Sequence, residues 1–184
     1  MTSVKFRVPP NKMNEVQFIE TFGGIYEHSP WVAAAVWGQG VDEADADINA
    51  FAARMAAVVR AAGHARQRAL VEAHPDLAGK AAARGDLTAS SSAEQQSAGL
   101  DNCSAEEYAE FQACNTAYWE KFGFPFVMAV KNSSSPEILA AFKACLLNNP
   151  DQELIRALLE IDKIALIRLM ELRTPEGTGE GEKE

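Results

Sequence analysis

The stretch that decides the fold is residues 104–123, SAEEYAEFQACNTAYWEKFG. Ser104 and Glu107 have the spacing of a capping box, in which each side chain bonds the other residue's backbone N–H at a helix start. Gly123 follows the last apolar residue, and glycine is the commonest residue just beyond a helix end. The stretch therefore predicts a helix over residues 105–122 with both of its ends marked.

The segments on either side carry the same helical signals, and alternating strand patterns are nearly absent. Apolar residues recur at helical spacing, and Gly or Pro marks where each pattern stops. Ser29 and Asp151 are predicted to cap helices, and Gly63 to take the left-handed conformation after a helix end. Besides residues 105–122, the predicted helices cover residues 11–22, 31–37, 45–62, 65–73, 135–148 and 152–172.

The rest of the chain is broken or extended. Glycines interrupt any long helix between residues 76 and 99, although Ser91 and Glu94 have the spacing of one more capping box. Residues 124–130, FPFVMAV, form the one extended apolar run. About eight helices with short loops predict an all-α, single-domain bundle over residues 1–174, followed by a disordered acidic tail over residues 175–184.

Composition excludes several classes of protein. Among 184 residues, 17 basic and 26 acidic side chains give a net charge of −9, which argues against a nucleic-acid-binding protein. No apolar run approaches the length of a membrane span. Cys103, Cys114 and Cys145 suggest neither a disulfide framework nor a metal-binding pair, and they suit a reducing compartment. We therefore expect a cytoplasmic protein that binds neither nucleic acid nor membrane.

Histidine is scarce, and one histidine stands at a forced helix end. The spacing of His28, His64 and His74 matches no set of metal ligands, so no metal is expected. His74 precedes Pro75, and proline disfavours helical geometry in the residue before it. The His74 side chain either faces a cleft or interacts with the dipole at the helix C-terminus. The sequence leaves both interpretations open.

Three further features each allow a structural and a functional interpretation. Glu94 is either a helix cap or part of a polar ligand site formed by residues 90–95 at a helix N-terminus. Arg168 lies at the edge of the apolar stripe of the last helix, where it either pairs with a buried carboxylate or binds a ligand. The aromatic cluster of Phe122, Phe124 and Phe126 is either core or a stacking wall.

Four blocks of this sequence resemble the 2-oxo-4-hydroxy-4-carboxy-5-ureidoimidazoline (OHCU) decarboxylases of the urate-to-allantoin pathway. They are FGGIYEHSPW at 22–31, HPDLAGK at 74–80, SAEQ at 92–95 continuing to AGL at 98–100, and Tyr118 continuing to KFGFPF at 121–126. The resemblance extends from about residue 10 to residue 172. The HPDLAG and KFGFPF blocks are highly specific when they occur together in this order.

The resemblance implies an all-α homodimer that needs no cofactor. His74 matches the family's catalytic histidine, and Glu94 matches its partner carboxylate. The positions that match substrate-binding residues are Pro75, Ser91, Ser92, Ala93, Gln95, Phe126, Val127, Met128, Ala129, Val130 and Arg168. One departure lies in residues 144–148, where relatives often carry an arginine shortly before the asparagine, and this affects local packing or the dimer.

The implied reaction is cofactor-independent decarboxylation of OHCU to (S)-allantoin. In the substrate, one carbon carries a carboxylate and a hydroxyl beside a C=N bond, so the substrate itself can accept the electron pair as CO2 leaves. Two other functions remain open. One is a decarboxylase that acts on a related purine-breakdown intermediate, and the other is a non-catalytic helical module that binds ureides or another protein.

Overall fold

The computed structural model describes residues 3–79, 82 and 84–175 of the chain. In this part the eight α-helices are α1 (Glu15–Phe22), α2 (Trp31–Gly38), α3 (Ile48–Ala61), α4 (His64–Glu72), α5 (Ala89–Ser97), α6 (Ala105–Phe122), α7 (Ser135–Cys145) and α8 (Pro150–Met170). Short 3-10 turns lie at Pro10–Lys12, Glu43–Ala46 and Leu100–Asn102. The predicted all-α class is confirmed. Except for Pro175, the predicted tail lies outside the described residues.

Helices with two marked ends form where the sequence predicts them. Ser104 and Glu107 make both bonds of their capping box at the start of α6, and Gly123 ends that helix with φ +70°. Helix α4 stops at Glu72, two residues before His74, as the following proline requires. The loop after α4 is therefore fixed at the position where His74 stands.

Three predicted helix starts are wrong because a different polar residue caps each of these helices, and the predicted cap of α2 is wrong although that helix begins at Trp31 as predicted. Helix α1 begins at Glu15 rather than Asn11, since Asn14 forms a capping box with Gln17. Helix α3 begins at Ile48 after the Asp47 cap, since the residues before it form a 3-10 turn. Asn149 rather than Asp151 caps α8, and no side chain bond, from Ser29 or another residue, caps α2.

Two details of helix ends also differ from the prediction. Gly63 has φ +81° but ψ 157°, so it is not in the left-handed helical conformation, and it serves as the N-cap of α4. Helix α7 ends at Cys145 rather than near Asn148, with Leu146 as its C-cap.

Helix α8 lies at the centre of the bundle and packs against α3, α4 and α6. Two aromatic clusters fill the core around these helices. Phe18, Phe22 and Phe51 form one with Phe6. In the other, the ring of Tyr118 contacts the rings of Phe122, Phe124, Phe126 and Phe142. Phe124 and Phe126 are buried, so the aromatic cluster of the sequence belongs to the core. None of the described helices has the length and apolarity needed to cross a membrane.

Candidate active site

Residues from four separate parts of the chain surround one small pocket. The loop after α4, helix α5, the extended segment 124–130 and helix α8 each contribute to its wall. The pocket is small and open to solvent, with a cavity volume of about 30 Å³. Its lining consists of His74, Pro75, Leu77, Ser91, Glu94, Gln95, Phe126, Val127, Met128, Val130 and Ile164.

Four predicted site residues do not line this pocket. Ser92 lines a larger neighbouring cavity of about 630 Å³, and Gln95 lines both this cavity and the smaller pocket. Ala93 is exposed on α5. Ala129 and Arg168 are not part of the lining: the Ala129 N–H donates to Glu160 of α8, and Arg168 donates to the lining residue Glu94. The smaller pocket contains the imidazole and the carboxylate together, so we treat it as the candidate active site.

His74 is buried and neutral. Its Nδ1 lies 2.9 Å from the carbonyl oxygen of Leu70, and because a carbonyl only accepts, Nδ1 carries the proton. Within the described residues Nε2 has no hydrogen-bond partner. Burial lowers the pKa of His74 to about 4, although the Leu70 bond and the charge of Glu27 oppose this shift. At neutral pH the ring therefore offers an unprotonated Nε2 as a proton acceptor.

Glu94 does not cap a helix, contrary to one interpretation of the sequence. Thr88 is the cap of α5, since its hydroxyl accepts the Ser91 N–H, so the predicted Ser91–Glu94 capping box is wrong. Glu94 instead accepts two bonds from Arg168, at 2.7 Å from Nε and at 3.0 Å from Nη2. This bidentate pairing fixes the orientation of the carboxylate in the pocket wall.

Arg168 also binds a second carboxylate, that of Glu27, at 2.9 Å from Nη1. The buried-pair interpretation of Arg168 is therefore confirmed. Burial opposes the charge of the guanidinium, but the bonds and charges of both carboxylates raise the pKa of Arg168. Glu27 is not among the site residues predicted from the sequence. The available signal was its place in the block FGGIYEHSPW, which carries the family resemblance.

Amide side chains hold the loop that follows His74. Ala78 has φ +48°, its N–H donates to Oε1 of Gln95 at 3.0 Å, and its carbonyl accepts from Gln112 at 2.8 Å. Asn115 donates to the carbonyl of Leu77. A Cβ on Gly79 would lie only 2.6 Å from the Cβ of Asp76, which explains glycine at that position. This clamp keeps an unfavourable backbone conformation in place beside the pocket.

Helix α8 holds the opposite wall. Arg156 donates to the carbonyl of Val127 at 2.9 Å, and Glu160 accepts the N–H of Ala129 at 2.9 Å. Within the described residues, the N–H groups of Val127 and Met128 have no partner. Val127 and Met128 both line the pocket, and unpaired backbone donors suit the oxygens of a polar ligand.

No group of three or more His, Cys, Asp or Glu side chains in the described ranges has the arrangement of a metal site. The site's polar groups are one neutral imidazole, the carboxylate–guanidinium pair, the Ser91 hydroxyl, the Gln95 amide and backbone donors. Such a set can orient a small polar molecule and move a proton at Nε2.

Comparisons with known proteins identify the family. The sequence model of the OHCU decarboxylases matches residues 11–170. The 2-oxo-4-hydroxy-4-carboxy-5-ureidoimidazoline decarboxylase of Halalkalicoccus jeotgali is 38% identical over 171 residues, which cover 92% of this chain and 93% of that protein.

Two solved structures are also similar. A crystal structure of (S)-allantoin synthase has a TM-score of 0.69 at 30% identity, and the match covers 88% of this chain and 52% of that protein. A crystal structure of OHCU decarboxylase in the presence of (S)-allantoin shares the fold, with a TM-score of 0.61 at 23% identity over 77% of this chain and 89% of the other. The chain belongs to the OHCU decarboxylase family.

Proposed function

We propose that this protein decarboxylates OHCU to (S)-allantoin in urate breakdown and that it needs no cofactor. The observation that carries the proposal is a neutral His74, with Nε2 free, in one pocket with the Glu94 carboxylate that Arg168 orients. The names of the relatives support the choice of substrate, since they describe OHCU decarboxylases from an archaeon and from the mouse.

The reaction balances without a metal or an organic cofactor. As the bond between the ring carbon and the carboxylate breaks, its electron pair moves toward the adjacent C=N bond and CO2 leaves. The resulting enol-like intermediate loses the proton of its hydroxyl. It gains one proton on the ring nitrogen and one on the carbon that bears the ureido group. The hydroxyl supplies one of these protons, and solvent supplies the other, which replaces the lost carboxylate charge.

The described side chains fit this sequence of proton transfers. Nε2 of His74 accepts the hydroxyl proton of the intermediate, and the nearby charge of Glu27 favours the charged imidazolium during that step. Since burial makes this imidazolium more acidic than an ordinary one, it readily returns the proton to one face of the intermediate. Glu94 orients the hydroxyl or the ureido group, and the N–H groups of Val127 and Met128 bind substrate oxygens. Pro75, Ser91 and Gln95 complete the walls around the substrate.

The test is circular dichroism of allantoin formed from urate by uricase and hydroxyisourate hydrolase, with and without this protein. The wild type is expected to give a faster signal that has the sign of (S)-allantoin. His74→Gln is expected to lower turnover by about 100-fold or more, as the loss of an acid–base group does. The matched control is His64→Gln, which changes an exposed histidine of α4 outside the pocket and is expected to leave turnover unchanged.

Other outcomes identify the alternative functions. An unchanged, achiral time course contradicts the decarboxylase proposal. Binding of allantoin without turnover indicates a ureide-binding module. Turnover of a different ureide indicates an enzyme for a related purine-breakdown intermediate. Wild-type turnover in His74→Gln removes His74 from the mechanism.

We also propose that the protein is a cytoplasmic homodimer. Its three cysteines are free thiols, which suits a reducing compartment. Ile155 and Leu159 are 61% and 54% exposed. They lie one turn apart on the same face of α8, so together they form an apolar strip that a second copy can cover.

A further inference from the structure

Glu27 is a buried acid that lies outside the lining of the pocket. It stands in the loop between α1 and α2 and is 2% exposed. One carboxylate oxygen accepts the hydroxyl of Thr88 at 2.6 Å, and the other accepts Nη1 of Arg168 at 2.9 Å. A buried carboxylate is costly unless it is paired and hydrogen-bonded, so these two contacts account for its presence there.

Glu27 orients the Arg168 guanidinium, which in turn binds Glu94. All five N–H donors of Arg168 point to protein acceptors. Nε and Nη2 bind Glu94, Nη1 binds Glu27 and the carbonyl of Ile25, and Nη2 also lies 3.4 Å from the hydroxyl of Ser91. The guanidinium is planar and rigid. The bond that Nη1 donates to Glu27 therefore also fixes the orientation of Nε and Nη2, which bind Glu94.

Through Thr88, Glu27 also fixes the start of α5. The Thr88 hydroxyl has one proton, which it donates to Glu27, and it accepts the backbone N–H of Ser91 at 3.3 Å. Ser91 lines the pocket, and Glu94 follows one turn later on the same helix. Glu27 therefore holds both the helix that carries Glu94 and the guanidinium that orients its carboxylate.

We infer that Glu27 is a positioning residue for the proposed decarboxylation, acting through Arg168 and Thr88 to hold the Glu94 carboxylate in place beside His74. This inference rests on the proposed function. Since Glu27 does not line the pocket, we expect its replacement to change kcat more than KM.

The first test compares the kinetics of Glu27→Gln with those of wild type and of Glu20→Gln, an exposed acid on α1. Glu27→Gln keeps the size of the side chain but not its charge. We expect kcat to fall at least ten-fold while KM changes less than three-fold, and Glu20→Gln to behave as wild type. A wild-type kcat in Glu27→Gln, or a rise in KM with kcat unchanged, overturns the inference.

The second test replaces Thr88, the other partner of Glu27, and it tests the positioning role even when Glu27→Gln fails to fold. Thr88→Val removes the hydroxyl at nearly constant shape, whereas Thr88→Ser keeps it. We expect Thr88→Val to lower kcat and Thr88→Ser to restore it. If the two variants have the same kcat and differ only in thermal stability, Thr88 has a purely structural role and the inference is wrong.

A third measurement separates this inference from the proposed function. The Nε–H of Arg168 is expected to give a distinct, slowly exchanging signal in nitrogen-15 NMR spectra of the wild type, since it is buried against Glu94. In Glu27→Gln this signal is expected to shift and to exchange at least ten-fold faster. A wild type that makes no (S)-allantoin contradicts the function alone, whereas an unchanged Arg168 signal in Glu27→Gln contradicts the positioning role alone.

Discussion

At residue 74 the protein keeps an imidazole uncharged inside its core. The unfolded chain has an ordinary histidine, whereas in the folded state burial lowers the pKa of His74 to about 4. Between these two pKa values the unfolded state binds a proton that the folded state does not bind. Above about pH 6.5 the titration of His74 does not reduce the free energy of unfolding. As the pH falls from there toward 4, protonation of His74 in the unfolded state lowers that free energy.

This difference predicts a pH dependence of unfolding. As the pH falls from 7 to 4, the wild type is expected to lose roughly 3 kcal/mol more stability than His74→Gln, which lacks the titrating group. Urea denaturation at several pH values measures the difference. Parallel pH profiles for the two proteins would show that the imidazole is not kept neutral in the folded state.

At the scale of elements, α8 holds the extended pocket wall through its side chains. Glu160 accepts the N–H of Ala129, and Arg156 donates to the carbonyl of Val127 while its guanidinium lies 4.9 Å from the ring centre of Phe126. Arg156 in turn binds Glu153, which is fully buried and also accepts the Tyr118 hydroxyl and the Asn148 amide. The wall is thus attached to a helix rather than stabilised by strand pairing.

Removing one attachment is expected to loosen this wall. Glu160→Ala leaves the Ala129 N–H without its acceptor, and we expect a loss of about 1–2 kcal/mol and a several-fold rise in KM. The matched control is Glu171→Ala, which removes an exposed acid that pairs with Lys131 at the surface and is expected to change stability by less than about 1 kcal/mol. Thermal unfolding measures the change in stability, and steady-state kinetics measure the change in KM. If both changes are the same in the two variants, Glu160 does not hold the pocket wall.

Local signals predict the helices well when a helix has one strong cap. Ser104, Glu107 and Gly123 mark α6 at both ends, and Pro75 fixes the end of α4. The errors occur where polar residues compete, as Thr88 and Ser91 do for the cap of α5. Which of them forms the cap depends on tertiary contacts, here the bond from Thr88 to Glu27, 61 positions away.

At the scale of the whole molecule, the proposed homodimer predicts a defined mass and a defined contact. The wild type is expected to elute at about twice the chain's 19.9 kDa in size-exclusion chromatography with light scattering. Leu159→Lys places a charge in the apolar strip of α8 and is expected to give a monomer. Val16→Lys changes an exposed apolar residue of α1 and is expected to leave the dimer intact. A monomeric wild type contradicts the dimer, and a dimeric Leu159→Lys contradicts the contact.

The sequence points to residues that line one pocket, but it does not show how their side chains are paired. The family resemblance points to His74, Glu94 and Arg168, and periodicity places Arg168 at the edge of the core. Neither shows that Arg168 joins Glu94 to Glu27, because that pairing spans 74 and 141 positions along the chain. Long-range pairing of buried charges leaves no local pattern, so the structure was needed to find it.

The position of Arg168 in the last helix has a consequence for the order of synthesis. Glu27 and Glu94 leave the ribosome first, as two carboxylates without their shared cation. At roughly 5–20 residues per second, the 74 positions between Glu94 and Arg168 take about 4–15 s to synthesise. During that interval α5 carries Glu94 but lacks the guanidinium that orients its carboxylate. The nascent chain therefore completes the candidate site only when α8 emerges and docks.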